Sequence, residues 1–217
     1  MMNNILTPET IGLLLQALGT TLMMAVVAGI GSLILGVLVT MARVSPIPIL
    51  RWAAWCYVQF FINVPLLALL ILAVFALPDA GLIAPLTPTA IIVLTVYEAA
   101  YVAEAVRSGV NTVGVGQVEA GRALGFSLLQ SFRFIIIPQS LRAVVQPLGN
   151  VMIALAMNTA LAAVVGVVEF TSEVNKLNLV FAQPIQIFTG AGIVYMAIAL
   201  VIGLAAGWIE RRVAIVR

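Results

Sequence analysis

Histidine is missing altogether from these 217 residues, and cysteine occurs once, as Cys56. A disulfide framework, a Cys/His metal site and a histidine-based catalytic triad are therefore excluded within this chain. Charge is nearly as scarce. Charged residues make up 8% of the sequence, against roughly 25% in soluble domains. Ten cations and eight anions cannot coat a water-exposed surface. The net charge of +2 comes with no basic run, which argues against a nucleic-acid partner. What the chain does have is hydrocarbon: 63% of its residues are apolar and its mean hydropathy is +1.20. The solvent that suits this composition is the lipid bilayer.

A spanning helix needs about 20 mainly apolar residues, because its backbone amides must be satisfied internally where there is no water. Five stretches qualify: Leu18 to Ala42, Trp52 to Leu77, Pro88 to Arg107, Val144 to Val168 and Ile187 to Ile209. The sequence predicts an all-α integral membrane fold of five spans, a single transmembrane domain over 1–217. Pro8 behind Thr7 and Pro88 behind Thr87 suit first helical positions, and Leu77-Pro78-Asp79-Ala80-Gly81 suits a turn. With the amino terminus outside, Arg43 and Arg51 fall in one inner loop. Arg107, Arg122, Arg133 and Arg142 fall in or beside another, and Arg211, Arg212 and Arg217 in an inner carboxyl-terminal tail. Lys176 alone stays outside, and this asymmetry fixes the expected orientation. Met1 to Thr10 carries no cation, unlike a cleaved signal segment.

The inner loop, 109–144, has a pattern of its own. Gln117 to Leu124 suits two turns of helix, with Glu119 in the first turn, where the helix dipole favours an anion, and Gly125 as a left-handed terminator. Ser127 and Gln130 form a capping box for a second helix. Leu128, Leu129, Phe132, Ile135 and Ile136 share one face of it, and Pro138 is expected to end it. Ala120 and Gly121 leave the tip open to close approach by another protein. On periodicity alone, the same pair of helices also suits an amphipathic unit lying on the bilayer surface.

Glu119-Ala120-Gly121, three residues, Gly125, nine residues, then Ile135-x-Ile137-Pro138 resembles the EAA loop of ABC importer permeases. Gly121 stands where the family has a second alanine and Ile137 where it has leucine. The resemblance runs from about Leu18 to the carboxyl terminus. Ala100 to Gly109, Pro138-Gln139-Ser140-Leu141-Arg142, Pro147-Leu148-Gly149-Asn150 and Val165-Gly166-Val167-Val168-Glu169 are similar to polar amino-acid permeases of the histidine, arginine and glutamate type. Gly109 to Val113 and Asn158-Thr159-Ala160 look most like actinobacterial glutamate permeases. Where many relatives carry charge, this chain has Ile62-Asn63-Val64-Pro65 and Met157-Asn158-Thr159-Ala160.

The resemblance implies a five-span type I importer subunit in a bacterial plasma membrane. It would pair with itself or a homologous permease, and with two nucleotide-binding ATPase subunits and an extracytoplasmic solute-binding protein. Glu119, Ala120, Gly121, Gly125, Ile135 and Pro138 would form the coupling element, and the cargo would be glutamate or a related amino acid. ATP and magnesium would belong to the ATPase, since this chain has no phosphate-binding Gly-x-x-x-x-Gly-Lys-Ser/Thr loop and is not expected to be an enzyme.

Polar groups at mid-membrane depth are functional candidates. Glu98 lies halfway along the third span and Asn158 halfway along the fourth, next to Thr159. One reading has Glu98 recognising an amino-acid ammonium, with Asn158 and Thr159 offering hydrogen bonds. The other has Glu98 and Asn158 bonding to each other or across a subunit interface. Glu104 and Arg107 suit an intrahelical pair, and Tyr97, Tyr101, Trp52, Trp55 and Trp208 suit packing or an interfacial belt. Glu169, Glu173 and Lys176 lie in the longest outer loop, which suits either contact with a solute-binding protein or a solvated connector. Gly203-x-x-x-Gly207 offers a small face for helix packing. A secondary transporter or channel finds no internal repeat here, and a membrane-embedded enzyme finds no nucleophile–base pair.

Overall fold

The computed structural model describes residues 7–213, and every regular element among them is a helix. Helix α1 (Pro8–Arg43) begins as the sequence predicts. Thr7 is extended, its hydroxyl oxygen accepts a hydrogen bond from the Thr10 amide at 3.2 Å, and Pro8 fills a first-turn position whose missing N–H costs nothing. Its 36 residues rise about 54 Å, well beyond a hydrocarbon core of ~30 Å. The helix therefore starts before the apolar run at Leu18 and must tilt or project from the bilayer.

The second apolar run is not one helix. Helix α2 (Pro48–Asn63) and helix α3 (Leu66–Ile71), which runs on through a π-helical stretch at Leu72–Ala76 into helix α4 (Leu77–Asp79), meet at a bend of 101°. The cause is local. Val64 is extended at φ −103° and ψ 133°, as a residue before proline prefers, and Pro65 has no N–H to continue the ladder. Among the described residues there are thus four long apolar helices, and five crossings only if this broken pair counts as one. The turn predicted around Pro78 is a helical turn closed at Gly81, which takes φ +84°.

Helix α5 (Leu86–Asn111) starts behind Pro85, two residues before Pro88, so Thr87 is not its cap. Helix α6 (Val115–Ala123) lies in the loop 109–144, followed by α7 (Leu128–Ser131) and a π-helical stretch at Phe132–Ile136. That stretch runs directly into α8 (Ile137–Asn158). Pro138 therefore sits in the opening turn of a longer helix and does not end one, because a residue there needs no intrahelical N–H bond. From Leu129 to Val165 the chain is one long helical segment, finishing in the 3₁₀ turn Thr159–Val165 and closed by Gly166 at φ +91°. Helix α9 (Phe170–Phe181) and helix α10 (Pro184–Val213) complete the fold.

Helix α5 is the centre of the bundle and packs against α1, α8 and α2. Half of its most apolar stretch is buried, against 11% for α10, so α10 keeps most of its surface for lipid or for another chain. Met24, Ala28, Leu66, Leu70, Ala90, Leu94, Leu155 and Val165 form the main core. Between α1 and α5 the backbones nearly touch. A methyl group on Gly36 would lie 2.5 Å from Val102 Cγ1 and 2.9 Å from the Ala99 carbonyl oxygen. One turn on, the Thr40 hydroxyl lies 2.9 Å from the Gly36 carbonyl and 3.2 Å from that of Ala103 on α5. The predicted Gly203-x-x-x-Gly207 face makes no such contact within the chain, since nothing lies within 4 Å of a methyl built on Gly207. The close approach of α8 and α10 is instead at Gly149 and Ala206.

Because the obstacle at Gly36 includes backbone, Gly36→Ala should destabilise the detergent-solubilised protein by about 1–3 kcal/mol. Gly12→Ala, in open space within this chain, should be neutral or slightly stabilising. Thermal unfolding of the two variants beside the parent checks this, and equal midpoints would refute the close-packed crossing.

Candidate functional site

Glu98 sits halfway along α5 and is 1% exposed. Asn158 closes α8, and its Nδ2 donates to Glu98 Oε1 at 2.7 Å. The two residues thus bind each other across the α5–α8 contact. This covers only one carboxylate oxygen; among the described residues no further hydrogen bond reaches Glu98. The pair also lines a cavity of about 320 Å³, together with Tyr97, Tyr101, Asn150, Val151 and Ala154. That volume lies at the lower end of the roughly 300–1,000 Å³ of small-molecule sites. Among the described residues that line it, Glu98 alone is charged. The hydroxyls of Tyr97 and Tyr101, 3.0 Å apart, and the amides of Asn150 and Asn158 supply donors and acceptors. Thr159 takes no part, since it is fully buried and its hydroxyl donates to the Ala156 carbonyl at 2.7 Å.

Three of the polar lining residues, Tyr97, Tyr101 and Asn150, are not among the candidates from sequence. Tyr97 and Tyr101 suit packing, and Asn150 drew notice only within a family-like tetrapeptide. A signal was nonetheless present. Asn150, Ala154 and Asn158 are spaced four apart on one helix face, and Tyr97 and Tyr101 are spaced four apart beside Glu98.

The loop 109–144 presents a different surface. Helix α6 begins at Val115, two residues earlier than expected, so Glu119 stands in its second turn and gains little from the dipole. Glu119 and Ala120 are exposed, and Leu124 beside them is 80% exposed. Gly125 does end the helix at φ +87°, and the Phe126 amide donates back to the Gly121 carbonyl at 3.0 Å. The capping box forms reciprocally: Ser127 N donates to Gln130 Oε1 at 2.8 Å, and Gln130 N to Ser127 Oγ at 3.3 Å. Gly121 is buried, and a methyl there would lie 2.4 Å from Ile135 Cδ1. The Ile135 side chain therefore fills the volume that an alanine at position 121 would occupy, which ties α6 to the start of the long helix. Of the predicted apolar face, Leu129 is 77% exposed, and the side chains of Leu128 and Phe132 lie outside the described residues.

Two polar clusters brace the ends of the bundle. Glu104 binds Arg107 on its own helix, as predicted, and also Arg43 of α1. At the other end Glu169 is fully buried, which overturns its reading as part of a solvated connector. It caps α9 by accepting from Ser172 N at 2.8 Å, and it accepts from Thr21 Oγ1 at 3.0 Å and Tyr195 Oη at 3.2 Å. One carboxylate thereby joins α1, α9 and α10. Glu173 and Lys176 pair at 2.6 Å on the exposed side of α9.

Comparison with known proteins places this architecture. The family described as binding-protein-dependent transport system inner membrane component matches residues 32–215. The glutamate transport system permease protein GluC of Corynebacterium efficiens is 36% identical over 219 residues, covering 93% of this chain and 94% of that one. The probable glutamine ABC transporter permease protein GlnM of Bacillus subtilis is 31% identical over 192 residues, covering 88% and 89%. Among solved structures, that of an amino acid ABC transporter with histidines superposes with a TM-score of 0.88 at 26% identity, covering 94% of this chain and 95% of that one. The bundle around α5, the helical loop 109–144 and the long segment from Leu129 to Val165 are thus those of a transport-system membrane component rather than an enzyme, and the chain belongs to the family of binding-protein-dependent transport system inner membrane components.

Proposed function

We propose that this chain is the permease subunit of an ATP-driven importer of polar amino acids, glutamate or a relative, in a bacterial plasma membrane. It works with a second permease, identical or homologous, two ATPase subunits that bind ATP and magnesium, and an extracytoplasmic solute-binding protein. The broken pair α2–α3 counts as one crossing, giving five spans with the amino terminus outside and the cation-rich segments inside. The relatives named for glutamate and glutamine support the substrate class.

One observation carries the mechanism. The helical segment from Leu129 to Val165 starts at the inner loop and bears Asn150, Val151, Ala154 and Asn158 on the cavity wall. A force applied to α6 passes through the Gly121–Ile135 contact into this rod and reaches the cavity as a rigid shift rather than as loop motion. ATPase closure would open the path between two permeases outward, and separation would open it inward. In this account Glu119, Ala120 and Gly121 seat on the ATPase, Gly125 sets the turn, and Ile135 and Pro138 join the docked helix to the rod. In the cavity Glu98 receives the substrate ammonium, and Asn158 releases part of its bond to Glu98 to take a substrate oxygen. Thr159 holds the helix end that presents Asn158.

Glu119 is exposed and makes no ion pair among the described residues, so its removal should spare folding. Glu119→Lys should insert and purify normally yet lower ATP-driven uptake by roughly tenfold or more, equivalent to at least about 1.4 kcal/mol of lost docking energy. Unchanged uptake in vesicles would remove Glu119 from the docking surface. Glu98→Gln keeps the shape and the Asn158 contact but loses the charge. The half-saturating substrate concentration for uptake should rise roughly ten- to hundredfold, as expected for a lost charge-assisted hydrogen bond. If affinity and selectivity stay as they were, Glu98 does not touch substrate.

A further inference from the structure

A second cavity, of about 510 Å³, opens where the end of α1, the start of α2 and the end of α5 meet, and it is lined by Arg43, Pro48, Arg51, Trp52, Trp55 and Arg107. Every charged residue on its wall is a cation. Glu104 is not on the described wall; it holds two of those cations from behind, Arg43 through Oε1 and Arg107 through Oε2 at 2.7 and 3.0 Å. One carboxylate thus orients two guanidinium groups but neutralises only one charge. Arg51, in the first turn of α2, is exposed and makes no ion pair among the described residues. Three forks with two uncompensated charges suit a phosphate group, whose oxygens accept parallel hydrogen bonds from the planar guanidinium. The cavity at Glu98 has no cation among its described lining residues to hold a phosphate.

The surroundings indicate what carries the phosphate. Trp52 and Trp55, one turn apart on α2, are 63% and 49% exposed, and Ile47, Ile49 and Leu50 beside them are 50%, 67% and 44% exposed. Indoles next to exposed aliphatic side chains at the end of a helix match the level where headgroups meet acyl chains. A basic pocket between spans at that depth fits an anionic headgroup, with its chains along the apolar side chains. We propose that this cavity is a binding site for a phosphate-bearing anion, supplied by an anionic phospholipid of the inner leaflet or by free phosphate, with Arg51 as its unpaired anchor. The inner-leaflet assignment rests on the orientation proposed above.

The test is native mass spectrometry of the permease purified with its ATPase. The complex is released from micelles containing equal phosphatidylglycerol and phosphatidylcholine, and separately from phosphatidylcholine micelles with inorganic phosphate. The parent should retain phosphatidylglycerol preferentially, and Arg51→Gln should reduce that preference about tenfold. Arg211→Gln, which removes an exposed cation from α10, should leave it unchanged. Arg51→Lys, which keeps the charge without the fork, should fall between and guards against an assembly defect in the glutamine variant. A phosphate adduct without lipid preference, lost in Arg51→Gln, assigns the site to free phosphate. No preference and no adduct in the parent, or equal retention in the parent and Arg51→Gln, overturns the proposal. The readout needs neither ATP nor uptake. A complex that transports but retains no anion fails this inference alone, and one that retains the anion but does not transport fails the transport reading alone.

Discussion

Where water is absent, a polar group that the chain does not satisfy itself goes unsatisfied, and in this fold that constraint decides where the few carboxylates stand. Glu98, Glu104 and Glu169 each sit at a junction of helices and each is answered by side chains from another helix: Asn158 of α8, Arg43 of α1, and Thr21 of α1 with Tyr195 of α10. These bonds give the packed helices a fixed register, which apolar side chains alone specify poorly against lipid of the same polarity. The glycine-lined crossing of α1 and α5 brings the helices close enough for this. Thr40 reaches the Ala103 carbonyl only because no side chain at Gly36 stands between the backbones.

The arrangement also separates three tasks along one molecule. Glu169 braces one end, where α9 lies across the bundle. The cavity at Glu98 occupies the middle. The other end carries the Arg43–Glu104–Arg107 cluster and the exposed tip of α6. A continuous helical segment, Leu129 to Val165, runs from beside α6 to the cavity wall, and α6 meets it through the Gly121–Ile135 contact. Pro147 lies within that segment and removes one backbone hydrogen bond from it.

Much of this was legible in the sequence because lipid imposes a crude rule. The long apolar runs became α1, α5, α8 and α10, and the Thr7 cap, the Gly125 terminator and the Ser127–Gln130 box were local signals that packing left intact. Hydropathy could not register the break at Val64-Pro65, because both halves of the bent pair are equally apolar. Pro138 misled for the opposite reason. Proline marks a helix end or a helix start, and only the π-helical stretch before it settles which. Glu169 looked solvated because its partners, Thr21 and Tyr195, lie far away in sequence and carry no charge. The Arg43–Glu104–Arg107 cluster was half visible: the Glu104–Arg107 spacing gave one pair, while Arg43 reaches Glu104 only through tertiary packing. The candidates Glu98 and Asn158 stand out by depth in the sequence, whereas Tyr97, Tyr101 and Asn150 needed the fold to bring two helix faces together.

The central claim is that this permease moves amino acids only when an ATPase drives it. The most direct measurement is uptake of labelled glutamate and glutamine into vesicles containing the purified permease and its ATPase, with the solute-binding protein outside and ATP either sealed inside or left out. The account predicts accumulation against a gradient with internal ATP and none without it. Equal uptake in the absence of ATP, or uptake driven by an ion gradient alone, would contradict it.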